Sequence, residues 1–89
     1  MEIMKAKIAL DFLNETVKCL KDEPLSRGTF DKMVQAGLFN NIGGSGTRIF
    51  DASRVREIAA LFPAIRPADK LGLVNYLKDR LDRRKRKAG

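Results

Sequence analysis

Residues 25–55, LSRGTFDKMVQAGLFNNIGGSGTRIFDASRV, decide the fold. Ser26 is a strong N-cap, because its hydroxyl accepts from the unpaired amides of a first helical turn, and Phe30, Met33 and Val34 then share one face of the next ten residues. Gly37 supplies the left-handed stop after Ala36. Leu38, Phe39 and Ile42 lead into Gly43-Gly44-Ser45-Gly46, a tight-turn sequence, and Thr47, Arg48, Ile49 and Phe50 return in β-favouring residues. Asp51 or Ser53 caps a new helix in which Val55, Ile58, Ala59 and Phe62 share a face until Pro63 ends it. The stretch predicts a helix over 26–36, a two-stranded hairpin over 39–50, and a fresh helix start.

Apolar patterning extends the reading in both directions. From Ile3 to about Lys21 the residues Ala6, Leu10, Leu13, Val17 and Leu20 recur every three or four positions, with Ile8, Ala9 and Phe12 widening the stripe. This predicts one long helix, broken by Lys21-Asp22-Glu23-Pro24. Beyond the stiff connector Pro63-Ala-Ile-Arg-Pro67, Asp69 complements the positive end of a last helix over 68–82. Leu71, Val74, Leu77 and Leu81 line one side of it, with Leu73 beside them, and this stripe completes the core or pairs with a second copy of the chain. The fold class is mainly α with a short β-hairpin, about four helices in one domain over 1–82, followed by a basic flexible tail over 83–89.

A chain of 89 residues buries about 60 to 65% of its unfolded surface, so the core is modest and a large catalytic cleft is not expected. The formal charge of +7 calls for a polyanionic partner. That charge is segregated: residues 78–87 hold seven Lys or Arg against Asp79 and Asp82, a net +5. With no histidine and only Cys19, neither an internal disulfide nor the usual zinc ligand sets can be assembled. The same residue inventory lacks a nucleophile beside a base, so no enzyme, cofactor or metal is expected. GGSGTR fails the G-x-x-x-x-G-K-[ST] spacing of a phosphate-cradling loop. Lys5, Lys7 and Asp11 interrupt the N-terminal apolar positions, so the expectation is a cytoplasmic protein without a membrane partner.

The order of the 25–55 stretch resembles that of the small DNA-binding proteins of the excisionase and MerR-like group. In these a serine-led helix ends in Gly-x-aromatic or Gly-x-aliphatic, and an R-x-F strand follows a glycine-rich turn. The resemblance covers about a third of the chain and implies a winged helix-turn-helix that binds double-stranded DNA. It implies a major-groove helix over 26–36 carrying Ser26, Arg27, Gly28, Thr29, Lys32 and Gln35. The wing over 39–50 would offer Ser45, Thr47 and Arg48 to phosphates or the minor groove, where negative potential attracts guanidinium. Alternatively, Arg48 serves as the partner of an acidic residue. Asp31 stands where many relatives carry an aromatic or basic residue against the backbone, so no DNA contact is assigned to it.

Arg83, Arg84, Lys85, Arg86 and Lys87 are expected to add phosphate contacts without sequence preference. The expected activity is that of an excisionase or small transcriptional repressor, bound as a homodimer or side by side on DNA, with a recombinase as a further partner. Two other readings fit the composition: a basic RNA-binding or ribosome-associated module, and an antitoxin or adaptor whose leucine-lined helix docks on a protein.

Overall fold

The computed structural model describes residues 2–39, 41–43, 48–65 and 67–88, the last four for their backbone only. The architecture is mainly helical with a small antiparallel sheet, in the order β1 (Ile3–Lys5), α1 (Ala6–Thr16), α2 (Lys18–Asp22), α3 (Arg27–Gln35), β2 (Ile49–Asp51), α4 (Ala52–Leu61) and α5 (Lys70–Ala88).

The N-terminal stripe departs from the single helix expected over 3–21. Its first three residues form β1, which pairs antiparallel with β2 in the register Ile3 with Asp51, Met4 with Phe50 and Lys5 with Ile49. The helix then breaks at Val17, whose extended backbone (φ −79°, ψ 122°) closes α1 and opens α2. Consecutive β-branched residues, Thr16 and Val17, are weak helix formers, and the break lets Val17 and Leu20 both enter the core. Ile8, expected to widen the buried stripe, is 56% exposed instead. Asn14 adds a link that no apolar pattern reveals: its Oδ1 accepts from Leu25 N at 2.8 Å and so ties α1 to the entrance of α3.

α3 follows its local signals closely. Ser26 caps it, accepting from Thr29 N at 3.2 Å, and Gly37 just beyond it takes φ +81°. Its inner face is Thr29, Phe30 and Met33, all buried. After the turn, Leu38 and Phe39 drop into the core.

Among the described residues of the hairpin expected over 39–50, the outgoing arm contributes the bridge from Asn41 to Phe50 and a bond from Ile42 N to Ile49 O at 2.8 Å. The Asn41 side chain adds to this link, its Oδ1 accepting from Gly43 N at 3.0 Å and from Ile49 N at 3.3 Å. The strand partner of β2 is β1, with Asn41 on the other side of β2.

Asp51 caps α4, accepting from Ser53 N at 2.9 Å, and Phe62 takes the extended conformation imposed on a residue before proline. α5 closes the domain through Leu73, Val74, Leu77 and Leu81, all buried, whereas Leu71 is 60% exposed. The leucine stripe thus completes the core of the chain itself. The helix also runs past 82 to Ala88, because Arg, Lys and Ala at 83–88 are all strong helix formers.

Three rings hold these pieces together. Phe30 of α3 lies 5.4 Å from Phe39 and 6.0 Å from Phe50 of β2, and Phe39 lies 5.4 Å from Phe50, centroid to centroid. Removing one deletes a buried ring and two aromatic contacts. Phe50→Ala is expected to destabilise the fold by about 3 to 5 kcal/mol, read as a lowered urea midpoint. Gly37→Ala, which places a Cβ in the left-handed region, should cost about 1 to 2 kcal/mol by the same measurement.

Candidate nucleic-acid interface

The outward side of α3 is set by what its inward side buries. With Thr29, Phe30 and Met33 in the core, Arg27, Gly28, Lys32 and Gln35 are exposed, and Asp31 is partly so. Ser26 is exposed too, but its hydroxyl serves the helix: it accepts from Thr29 N and lies 3.0 Å from Thr29 Oγ1.

Thr29 corrects the sequence reading. Expected on the reading face, it is fully buried, its hydroxyl bonded to Ser26 within the fold. The signal was present in the spacing, since Thr29 precedes Met33 by four positions and so shares its face.

Arg48 approaches α3 from the strand side, where its guanidinium forms an ion pair with Asp31. The acidic-partner role therefore describes the structure, although the partner lies on a helix and not on a neighbouring strand. Both side chains are substantially exposed, at 42% and 34%, so the pair is weakly stabilising and open to exchange with a solvent anion. A small cavity of about 70 Å³ beside it is lined by Lys7, Arg27, Phe30, Asp31 and Arg48. Three cations from α1, α3 and the β2 approach thus converge around one carboxylate.

Two of these neighbours escaped sequence reasoning. Lys7 looks like one more solvated position of α1, and only packing brings it to Arg27 and Arg48. Lys70 opens α5, yet a Cβ built on Gly28 would stand 3.8 Å from its Nζ. No local pattern places residues 28 and 70 together, because helix packing does so.

The remaining expected residues fall elsewhere. Ser45 and Thr47 lie outside the described residues, as do the side chains of Lys85, Arg86 and Lys87. Arg83 and Arg84 are exposed near the far end of α5, where Arg83 Nε lies 3.1 Å from Asp79. Fourteen positions separate Lys70 from Arg84, about 21 Å at the helical rise, so these cations form a surface separate from the α3 cluster.

Among the described residues there is no group of three or more His, Cys, Asp or Glu that could hold a metal ion, and no helix is long and apolar enough to cross a membrane. No family model matches the chain, and no curated protein or solved structure does either.

Thr29 and Asp31 separate structural from surface roles. Thr29→Val leaves Ser26 without its hydroxyl partner and should lower stability by about 1 kcal/mol in urea unfolding. Asp31→Asn should change it by less than about 1 kcal/mol, as for an exposed ion pair.

Proposed function

We propose that the protein binds double-stranded DNA as a winged helix-turn-helix of excisionase or small-repressor type, with α3 as the major-groove helix and residues 39–50 as the wing. One observation carries the reading: α3 buries one face against the phenylalanine cluster and leaves Arg27, Lys32 and Gln35 outward, with Lys7, Arg48 and Lys70 close by. A rigidly backed helix with a polar outer face is what a major groove admits, and clustered cations supply the attraction to phosphate.

Within this reading the parts divide by chemistry. Gln35 and Arg27 have the donors and acceptors to address base edges, whereas Lys32, Lys7 and Lys70 act as point charges toward the backbone. Arg48 reaches a phosphate by exchanging Asp31 for it. The exchange costs the ion pair, so Asp31 lowers affinity and makes Arg48 contact conditional on a well-seated duplex. The act is binding, with no bond made or broken. Side-by-side assembly on repeated sites and contact with a recombinase belong to the same proposal. Pairing through the leucine stripe of α5 loses its support, since that stripe is buried within one chain.

The competing readings have less in their favour. Single-stranded RNA readers offer exposed rings for stacking, but Phe30, Phe39 and Phe50 are buried and Tyr76 is half-buried with Arg80 stacked 5.1 Å from its centroid. An adaptor that docks through α5 would need the leucines already used by the core.

Gel retardation of random and locus-flanking duplexes at several salt concentrations tests the reading. Arg27→Ala or Gln35→Ala should relax preference among sequences, a bidentate contact being worth about 1 to 3 kcal/mol of discrimination. Lys32→Ala should weaken all sequences alike and flatten the log-log salt slope by about 0.9. Asp31→Asn should tighten binding and steepen the slope by up to about the same amount, as Arg48 gains a phosphate. Wild-type protein that retards no duplex at low salt would overturn the proposal.

A further inference from the structure

A second arginine surface lies between α4 and the far end of α5. An open groove of about 580 Å³ runs from the first turn of α4 to Arg84, lined by Ser53, Arg54, Arg56, Glu57 and Arg84 among others. Arg84 is also shared with an adjoining depression of about 450 Å³, together with Leu61, Arg80 and Arg83. Two helices thus contribute five arginines to two depressions that share Arg84.

Three of the five arginines have close partners: Arg83 Nε lies 3.1 Å from Asp79 Oδ2, and Arg80 Nε donates to the Tyr76 hydroxyl at 3.2 Å. Arg56 is satisfied, with its Nη2 at 2.5 and 2.8 Å from the two carboxylate oxygens of Glu2. Asp51 accepts from the backbone at Ser53, as its capping role requires. Arg54 and Arg84 instead share Glu57, at 3.7 Å and 3.8 Å from their Nε atoms, too long for hydrogen bonds. The Arg54 side chain is only 14% exposed, and its Nη1 is buried with no partner among the described residues. Two guanidinium groups that share one carboxylate at such distances leave a local excess of positive charge, which attracts an external oxyanion.

We infer that this groove seats the phosphate backbone of duplex DNA, as a second contact surface distinct from α3. The inference rests on the DNA-binding reading proposed above. An open, arginine-lined surface of two depressions suits a polyanion better than one small anion, because successive phosphates can meet successive guanidinium groups. Arg54 and Arg84 take phosphate oxygens in place of their long contacts to Glu57, and the Ser53 hydroxyl stands at the rim as a further donor. Lys70, beside α3, and Arg84 stand near opposite ends of α5, about 21 Å apart at the helical rise. The duplex length covered by one protein therefore exceeds what α3 alone would cover.

The test follows the arginine side-chain Nε–Hε resonances of the full chain during titration with a random 20-base-pair duplex and, separately, with inorganic phosphate. Duplex is expected to move Arg54 and Arg84 at concentrations where inorganic phosphate does not. Arg84→Gln should flatten the log-log salt slope by about 0.9 without altering sequence preference, and Glu57→Gln should tighten binding several-fold by releasing both arginines. If Arg54 and Arg84 stay unmoved while Lys32→Ala still weakens binding, the second surface is overturned and the α3 reading stands. If inorganic phosphate moves them and duplex does not, the groove is a small-anion seat and the inference fails. If the wild-type chain binds no duplex, both fall.

Discussion

The contact among Phe30, Phe39 and Phe50 is the constraint on which the surface chemistry depends. Each ring comes from a different piece of chain: the middle of α3, the segment after Gly37, and the central residue of β2. Packing them together fixes the rotation of α3 about its axis and the position of β2 beside it. Rotation decides which residues face out, so the exposure of Arg27, Lys32 and Gln35 follows from the burial of Phe30 and Met33. Phe50 also pairs with Met4 on one side and Asn41 on the other, so the same residue holds β1 and the segment at Asn41.

Charge is arranged on this frame in two places with different internal balance. Near α3, Asp31 holds Arg48 in an exposed pair, and the cations around it belong to three different elements. Along α4 and the end of α5, one carboxylate, Glu57, serves two arginines at a distance. Exposed ion pairs contribute little to folding, so their disposition is free to follow the needs of a ligand. A net charge of +7 on 89 residues repels itself in the compact state, and a polyanion bound at either surface would relieve that repulsion.

Much of the fold was legible in short-range patterns. Ser26, Gly37, Asp51 and Pro63 mark element ends by the hydrogen bonds they offer or the backbone angles they impose, and each stands at the boundary it announced. The N-terminal stripe was harder, because Ile3 and Met4 suit a helix or a strand equally and only Phe50 decides between them. The side-chain bonds of Asn41 to Gly43 and Ile49 were not legible, since nothing in the sequence around it says which backbone amides its amide oxygen will meet.

By itself the sequence determined the helices around Ser26 and Asp51, the stop at Gly37, the cationic end of α5 and the exclusion of the usual zinc ligand sets. Tertiary structure alone decided that Thr29 turns inward, that Arg48 meets Asp31 seventeen positions away, and that Arg56 meets Glu2 at a separation of fifty-four. Caps, turns and helix propensity act between residues within about four positions, where covalent geometry limits the choices. Ion pairs and strand partners across the chain depend on how apolar faces pack, and that packing is a property of the whole core.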